Sequence, residues 1–352
     1  MTYRVIQWAT GNVGRLAIEA VVAHPELELA GVWVHSPEKA GRSFGGVKAT
    51  NDVDEVLGLD ADCVVYTPLL GHTAEVVRIL EAGKNVVTPV GWFYPKDTAG
   101  IAELEAACRA GGATLHGTGI HPGGITERFP LTLSALCTNI RHVRAEEFSD
   151  IRNYQAEAVV RDVMLFGKPL DEAAKSPMLD ILGSGFSQSV RMVGDVLGLA
   201  LDEKLQTSHE MAVATKDLDT PVGLISAGTV AAQRFTWEGV VDGEVRVTAR
   251  VNWLMGEDLD PPWTLGGERF EVAFDADPPL HVTFHGLHPP VVGQDIDRNR
   301  GLLATANHCV NSVPYVCDAE PGVKTYLDLP LIAGRGAPVR SGPEPGRAPR
   351  AS

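Results

Sequence analysis

Apolar residues in the first third of the chain follow two alternating patterns. Short unbroken runs such as 63–66 are typical of buried strands, while spaced apolar positions such as those in 73–83 are typical of helices with one buried face. Strands that alternate with helices predict a parallel sheet with covering helices. The predicted strands are 4–8, 27–34, 63–66, 86–88 and 114–116. Between them one helix is predicted to begin near residue 14, and others are predicted at 52–57, 73–83 and 101–109.

The pattern changes beyond about residue 140. Residues 244–255 alternate apolar and polar side chains, which is typical of an open antiparallel sheet with one polar face. Residues 301–315 return to a helical pattern and are expected to pack back on the first domain. Further strands are predicted at 270–274 and 281–284, and further helices near 125–137, 155–166 and 187–197.

These patterns predict an α/β fold, a doubly wound parallel sheet with an inserted α+β domain that contains an open mixed or antiparallel sheet. The first domain is expected to be a dinucleotide-binding unit and the second a substrate and dimerisation unit. A tail rich in proline, glycine and arginine cannot build a core and is expected to be disordered. The predicted units are 1–138, 139–298, a returning helix at 299–334, and the tail at 335–352.

Composition narrows the class of function. The chain of 352 residues has a formal net charge of −15, which argues against nucleic acid and against an anionic membrane as partners. No apolar run is long enough to span a bilayer, and the first strand begins without a basic leader, so a cytoplasmic protein is expected. The five cysteines form no close pair, which predicts neither a disulfide framework nor a zinc site.

The turn after the first strand carries glycines at an informative spacing. Ala9, Gly11 and Gly14 fit Ala-x-Gly-x-x-Gly, a relaxed form of the dinucleotide fingerprint. Gly11 would let the backbone approach a pyrophosphate, and Gly14 would let the next helix pack close to the strand. Asn12 and Val13 would begin that helix, where unpaired amides bind anions. The spacing therefore predicts a nucleotide cofactor.

The end of the second strand indicates which dinucleotide binds. Proteins that prefer NAD place a carboxylate there for the ribose 2′-hydroxyl, but here His35 and Ser36 end the strand, and Lys39 and Arg42 follow. A hydroxyl and two cations suit a 2′-phosphate through charge-assisted hydrogen bonds. NADP(H) is therefore the preferred cofactor, and NAD(H) is the alternative if both cations are ordinary loop residues.

Ligands of open α/β sheets gather beyond the carboxyl ends of the strands. Thr67, Pro68 and Leu69 follow the third strand and are predicted to contact the adenosine or the nicotinamide ribose, the alternative being a plain strand-ending turn. Trp92 and Phe93 follow the next strand, and consecutive aromatic residues there wall either an apolar substrate pocket or a domain interface.

Three titratable residues are candidates for the chemistry or the pocket. Tyr94 could donate a proton to a carbonyl or imine, or share the wall with its aromatic neighbours. His121, in a glycine-rich loop, could act as an acid near the nicotinamide or only bind the loop backbone. His308 in the returning helix could face the same cleft or be a structural histidine.

Two further groups of polar residues are given no chemical role. Glu146, Glu147 and Asp150 cluster at the entry to the second domain, where their spacing is typical of solvated charge. The histidines at 281, 285 and 288 lack the carboxylate or cysteine that would complete a zinc site, so no metal is expected.

Several stretches together resemble the dihydrodipicolinate reductase-like oxidoreductases, in the branch of the 2,4-diaminopentanoate dehydrogenases and native amine dehydrogenases. The resemblance implies a Rossmann domain, an inserted substrate domain, a homodimer, and NAD(P)H-dependent reduction of a C=N bond in a small-molecule substrate. The resembling stretches are 6–14, 31–36, 83–88, 117–123, 307–314 and 328–334.

Two departures from the resembling pattern concern the catalytic residues. The family carries a Glu-Glu pair shortly before Tyr-Pro, and alignment on Tyr94 places Val90 and Gly91 at those positions. His121 stands where the family loop has asparagine. The resemblance therefore implies cofactor binding and hydride transfer to a small, mostly apolar substrate. A carbonyl reductase that does not use ammonia and a non-catalytic NADP(H)-binding sensor are the alternatives.

Overall fold

The computed structural model describes residues 2–96, 99–154, 156–288 and 299–336. Within these residues two large sheets and one two-stranded hairpin form. The first sheet has eight strands in the order β17-β7-β6-β5-β1-β2-β4-β3, and all neighbours run parallel except β3 and β4. Its strands are β1 Tyr3–Trp8, β2 Leu27–Trp33, β3 Ser43–Phe44, β4 Val47–Thr50, β5 Cys63–Tyr66, β6 Asn85–Thr88, β7 Thr114–Gly117 and β17 Gly322–Lys324.

Helices cover both faces of this sheet, which confirms the doubly wound parallel architecture. On one face α1 and the returning helix α8 pack side by side on the central strands, through residues such as Leu16, Val21 and Val313. On the other face α2, α3 and α4 bury a second apolar layer. These helices are α1 Asn12–Ala23, α2 Val53–Leu57, α3 Thr73–Glu81, α4 Ile101–Gly111 and α8 Arg300–Cys317.

The second sheet has seven strands in the order β14-β9-β12-β13-β8-β15-β16. It is mixed, because β8 runs parallel to β13 and every other neighbouring pair is antiparallel. The strands are β8 Thr138–Asp150, β9 Gln206–Ala214, β12 Val230–Val241, β13 Glu244–Leu254, β14 Leu259–Asp260, β15 Arg269–Asp277 and β16 Leu280–Phe284, with a separate hairpin of β10 Leu218–Thr220 and β11 Gly223–Ile225.

One long helix, α7 Met178–Val196, covers one face of the second sheet. Phe186 of this helix stacks on Trp237 of β12 with ring centroids 4.6 Å apart. Gly183 makes the close approach possible, since a Cβ there would lie 2.9 Å from the indole nitrogen of Trp237. The opposite face of the sheet carries arginine–glutamate pairs, among them Arg144 with Glu146.

Several sequence predictions differ from the observed elements. The helix predicted near 125–137 is a π-helical turn, Gly124–Arg128, followed by α5 Phe129–Ser134. The helix predicted near 187–197 begins earlier, at Met178. Its first half was not predicted, because its glycines interrupt the apolar pattern. Of the helix predicted near 155–166, the described residues show helical backbone at 157–163, most of it the π-helical turn Val159–Val163, and the short α6 Leu170–Ala173 lies beyond it.

Strand β8 was not predicted at all, since its outward-facing residues are charged. The returning helix packs on the first domain as expected. Most of the predicted disordered tail, 337–352, lies outside the described residues. No helix in the described part of the chain is both long and apolar enough to cross a membrane.

Candidate active site

The glycine turn between β1 and α1 has the geometry that a dinucleotide requires. Ala9 adopts a left-handed φ of +72°, and Gly11 is the N-cap of α1 with no side chain bonded to the helix amides. A Cβ at Gly14 would lie 2.3 Å from the Ala9 carbonyl oxygen and 3.0 Å from the Thr67 hydroxyl oxygen. A Cβ at Gly11 would meet no atom within 4 Å. The turn therefore packs tightly against the sheet at Gly14. It is open at Gly11, beside the first amides of α1, which belong to Asn12 and Val13, so its residues fit a pyrophosphate.

Gln7, which sequence reasoning missed, holds this turn in place. Its fully buried side-chain amide donates to the Thr67 hydroxyl oxygen at 2.7 Å and to the Ala9 carbonyl oxygen at 2.9 Å. The Thr67 hydroxyl donates in turn to the Trp8 carbonyl oxygen at 3.2 Å. Thr67 therefore links the ends of β1 and β5 through its side chain. The signal in the sequence was a lone glutamine within an apolar strand.

The end of β2 carries the residues predicted to choose between the two dinucleotides. His35 and Arg42 are exposed, and Ser36 begins a 3₁₀ turn, Pro37–Lys39, that holds Lys39 at the same edge. Glu38 in the same turn is exposed, and its own backbone amide lowers the pKa of its carboxyl. The strand itself ends without a carboxylate.

A cavity of about 450 Å³ lies where the carboxyl end of the first sheet faces the second sheet. Most of its wall is apolar, and its polar residues gather on β8 and around it. The first domain contributes the loops after β5 and β7 and the start of α8, and the second contributes β8, the segment that follows it, and α7. Its apolar wall includes Leu69, Leu70, Ile120, Ile151, Tyr154, Val159, Val163, Met164, Met178, Ile181, Trp253, Phe270, Leu287 and Leu302.

The polar end of the cavity is built around Glu147. Its Oε1 accepts hydrogen bonds from the Ser149 hydroxyl at 2.5 Å and from the Trp253 indole at 3.1 Å. Its Oε2 lies 3.6 Å from Nε2 of His121. Ser149 has one proton, which it gives to Glu147, so His288 Nε2 donates to the Ser149 oxygen at 2.9 Å. Five side chains with polar atoms, from four segments of the chain, thus meet at one end of an apolar cavity.

Burial shifts the pKa of these groups toward their neutral forms. It raises the pKa of Glu147 to about 7, against the opposing effect of its hydrogen bonds with Ser149 and Trp253. It lowers the pKa of His121 to about 3, against a smaller effect of the Arg250 backbone, and the pKa of His288 to about 4. Both imidazoles are therefore neutral at physiological pH, and Glu147 is the group that exchanges a proton there. The prediction that Glu147 is solvated charge was wrong.

Two other carboxylates line the cavity but are bonded to the protein. Asp150 is only 7% exposed and forms a bidentate ion pair with Arg152. Glu268 accepts from the Asp150 amide at 3.0 Å and from the Asn153 side chain at 3.1 Å. The sequence expectation of solvated charge was wrong for Asp150 and for Glu146, which is 4% exposed between Arg144 and Arg250 on the opposite face of the sheet.

The structure brings only some of the predicted residues to the cavity. His121 lines it, and Leu69 stands on its rim at 72% exposure beside half-buried Pro68. Phe93 is buried at the domain interface, 3.2 Å from the Cβ position of Gly185 in α7, whereas Trp92 is buried in the apolar core of the first domain. Phe93 thus fits the domain interface that was the alternative to a substrate pocket, and neither aromatic residue lines the cavity.

Tyr94 does not line the cavity. Its hydroxyl donates to Asp195 Oδ2 at 2.8 Å, and its amide donates to the side chain of Gln188 at 2.8 Å, both on α7. Lys96 also pairs with Asp195, at 3.2 Å. The phenol therefore fastens one domain to the other, and this placement gives it no position from which to protonate a substrate in the cavity.

His308 also lies outside the cavity lining, in a network beneath the loop after β7. Its Nδ1 lies 2.8 Å from the Thr118 hydroxyl oxygen, which lies 2.5 Å from the Tyr326 hydroxyl oxygen. Arg128 bonds the other ring nitrogen at 3.1 Å. Burial, with the charge of Arg128 as a smaller cause, lowers the pKa of His308 to about 4, so the ring is neutral. His308 is thus the structural histidine that the sequence offered as the alternative.

A second buried acid, Glu127, anchors the same loop. It is fully buried and accepts from the Gly123 amide and the Thr126 hydroxyl, each at 2.6 Å, and from the hydroxyl of Ser189 on α7. Burial raises its pKa to about 7, against the opposing effect of these bonds. Glu127 was not predicted from the sequence, and it fixes the loop that carries His121.

Comparisons with known proteins agree with this architecture. The C-terminal domain of 2,4-diaminopentanoate dehydrogenase matches residues 125–252. An amine dehydrogenase from Streptomyces virginiae is 33% identical over 93% of this chain and 96% of its own length. A 2,4-diaminopentanoate dehydrogenase from Acetoanaerobium sticklandii is 25% identical over 65% of this chain and 61% of its own.

Solved structures show the same fold. The amine dehydrogenase from Mycobacterium smegmatis superposes with a TM-score of 0.74 at 20% identity, over 95% of this chain and 98% of that one. A biliverdin reductase from Synechocystis, solved with NADP⁺, has a TM-score of 0.52 at 17% identity, over 91% of this chain and 92% of that one. With its nicotinamide-type Rossmann domain and its long match to the Streptomyces enzyme, the chain belongs to the amine dehydrogenase group of NAD(P)-dependent oxidoreductases.

Proposed function

We propose that the chain interconverts a small apolar ketone or aldehyde and the corresponding primary amine, with NADP(H) as the preferred cofactor. The observation that carries this proposal is the cavity, which is apolar over most of its wall and ends in a partly buried carboxylate beside two neutral histidines. An apolar wall suits a hydrocarbon group, and the acidic end suits the amine nitrogen.

The cavity lining also indicates which substrates are excluded. None of the described residues that line it is a lysine or an arginine, and the nearby Arg152 is bound to Asp150. A keto acid would place its carboxylate among Glu147, Glu268 and Asp150 without a cation to bind it, which is unfavourable in a buried site. We therefore propose amines and ketones that lack a carboxylate.

The bound cofactor would supply a hydride to the substrate carbon, in the overall reaction ketone plus ammonium plus NADPH plus a proton giving alkylammonium, NADP⁺ and water. Gly11, Asn12 and Val13 would hold the pyrophosphate, and Lys39 and Arg42 would bind the 2′-phosphate. The chain's own contribution at the cavity is to orient the substrate, exclude water and move protons.

The proposal is tested by cofactor oxidation with a panel of apolar ketones and aldehydes, with and without ammonium, in parallel with NADPH and NADH. Oxidation that depends on ammonium and yields an amine supports it. Equal oxidation without ammonium, with alcohol as the product, indicates a carbonyl reductase. Tight cofactor binding with no oxidation under any condition indicates a sensor protein.

Two further expectations belong to this proposal. We propose a homodimer, from the resemblance of the sequence to the amine dehydrogenase branch, and light scattering of the purified protein tests it. We also propose a cytoplasmic location, because the reaction consumes a reduced dinucleotide that is produced there. Fractionation of the source cells tests that location.

A further inference from the structure

The two oxygens of Glu147 have different surroundings. Oε1 is held by the Ser149 hydroxyl and the Trp253 indole, which fixes the carboxyl group in one orientation. Oε2 accepts no hydrogen bond from the residues that the structure describes, and Nε2 of His121 lies 3.6 Å from it. The orientation is therefore set by the protein through one oxygen, while the other has no hydrogen bond from the described residues, in a residue that lines the cavity.

The register of the second sheet makes this orientation unavoidable. Glu147 pairs with Val251 on one side and with Phe270 on the other, so its side chain projects on the same face as those apolar residues. Glu146 projects on the opposite face, where Arg144 binds it at 3.0 Å. Adjacent glutamates on one strand thus have different roles, and only Glu147 lines the cavity.

A second observation points to a ligand at the same place. His121 lines the cavity with only 2% of its side chain exposed; the Arg250 backbone lies close to the ring, but neither ring nitrogen has a hydrogen bond of normal geometry among the described residues. The Nδ1 atom of His288, which reaches Glu147 through Ser149, also lacks a partner there. Buried polar atoms without partners are rare because they are costly, so these nitrogens indicate a polar group bound between them.

This inference rests on the proposed function: the geometry points to Glu147 as the carboxylate that binds the substrate nitrogen and takes its proton, assisted by His121 and His288. The residue comes from strand β8 of the second domain. The resembling enzymes carry their glutamate pair at the positions of Val90 and Gly91, which do not line the cavity here.

The proton balance of the step is simple. In amine oxidation, Glu147 accepts a proton from the alkylammonium group and leaves the neutral amine, whose lone pair would form the C=N bond when the hydride is transferred to the nicotinamide. Water then adds to the iminium carbon and gives one proton to solvent, and Glu147 returns its proton to the nitrogen. Ammonia leaves as the carbonyl forms and takes up the last proton of the hydroxyl group, so that the products are the carbonyl compound, ammonium and one proton. Every proton moves between Glu147, the substrate nitrogen and water.

The other acids of the cavity do not meet this requirement. Glu268 already accepts from the Asp150 amide and from Asn153, and Asp150 is neutralised by Arg152. These bonds stabilise the loop beside the cavity. Among the acids that line the cavity, Glu147 is therefore the one with an oxygen left to bind a substrate.

The deciding experiment compares Glu147→Gln with Glu146→Gln, which alters the neighbouring position on the opposite face. We expect Glu147→Gln to lower kcat for amination by about a hundredfold or more, a typical effect of losing an acid–base group. NADPH affinity, measured by fluorescence, should stay within about twofold. Glu146→Gln should retain kcat, with any loss confined to thermal stability. A Glu147→Gln enzyme with wild-type kcat overturns the inference.

Ser149→Ala provides a second variant that keeps the carboxylate. Removal of the Ser149 hydrogen bond, which lowers the pKa of Glu147, should move the acidic limb of the kcat profile to higher pH. A profile that does not move also overturns the inference, including in the case where Glu147→Gln fails to fold. Failure of the proposed function is distinct, because the wild-type protein would then show no ammonium-dependent turnover.

Discussion

Nε2 of His121 lies 3.6 Å from Oε2 of Glu147, although the two residues belong to different domains. His121 follows the last central strand of the cofactor sheet, and Glu147 lies in the middle of a strand of the second sheet. Their contact joins the edge where the dinucleotide would bind to the acidic end of the cavity. The candidate chemistry therefore depends on how the two domains face each other.

Replacement of His121 by Asn should separate binding from turnover. His121 lies in the loop after β7 and contacts Glu147, Phe186 and Phe270, all in the second domain, so the dissociation constant for NADPH should change by less than about twofold. Loss of the imidazole beside Glu147 should lower kcat by about tenfold to a hundredfold. Steady-state kinetics at saturating cofactor, together with a fluorescence titration, measures both quantities. Unchanged turnover would remove His121 from the mechanism.

The two glycines of the fingerprint should behave differently when each is changed to Ala. Gly14→Ala places a Cβ 2.3 Å from the Ala9 carbonyl oxygen, so it should lower the free energy of unfolding by about 1–3 kcal/mol and weaken cofactor binding. Gly11→Ala meets no protein atom within 4 Å, so stability should be kept while cofactor affinity falls by about tenfold or more.

Urea denaturation and a cofactor titration on both glycine variants test this contrast. If Gly11→Ala bound NADPH as tightly as the wild type, the pyrophosphate would lie elsewhere. The more drastic Gly14→Asp, which adds a negative charge, should abolish binding altogether.

The cations after β2 should determine the choice of dinucleotide. The double replacement of Lys39 and Arg42 by Ala removes the charge-assisted bonds expected for a 2′-phosphate, each of which contributes about 1.5–3 kcal/mol. We expect NADPH affinity to fall by at least about tenfold while NADH affinity stays within about twofold. Equal losses for both cofactors would contradict the preference for NADP(H).

The raised pKa of Glu147 predicts a dependence of stability on pH. In the folded protein this pKa is about 7, compared with its ordinary value of 4.5, so between these values the folded state holds a proton that the unfolded state lacks. The stability that this proton provides is fully present below about pH 4.5 and is lost as the pH rises through about 7.

Comparison of the wild type with Glu147→Gln isolates this effect, because Glu127, whose pKa is raised in the same way, is common to both proteins. The free energy of unfolding of the wild type, relative to the variant, should fall by an amount on the order of 3 kcal/mol between about pH 4.5 and pH 8. Urea titrations across that range measure it. A difference that does not vary with pH, or that grows as the pH rises, would contradict the buried carboxyl.

Tyr94 should prove to be a structural contact. Tyr94→Phe removes the hydroxyl that donates to Asp195, so stability should fall by about 1 kcal/mol while kcat stays within about threefold. Thermal unfolding and steady-state rates measure the two effects. A loss of turnover of about a hundredfold with normal stability would instead restore Tyr94 as a proton donor.

The sequence was most informative where local chemistry determines local structure. The glycines at 11 and 14 and the apolar strand before them predicted the cofactor domain, since the strand, the tight turn and the start of the helix all lie within a few residues. The returning helix was visible for the same reason, because its apolar positions repeat at helical spacing.

The candidate active site depends on contacts that the sequence does not reveal. Glu147 and Glu146 are adjacent and identical in type, and only strand register separates a cavity acid from an ion-paired residue on the other face. His288 and His121 reach the same acid from positions far apart in the chain. Tyr94 was misplaced because its partner lies on α7, a helix whose glycines obscured where it begins.

The fate of ammonium nitrogen tests amination in this cavity most directly. The wild-type protein is incubated with an apolar ketone, NADPH and isotopically heavy ammonium, and the product is analysed by mass spectrometry. We expect an amine that carries the heavy nitrogen, formed in a one-to-one ratio with oxidised cofactor. Oxidised cofactor accompanied by an alcohol, with no heavy nitrogen in any product, would contradict the proposed reaction.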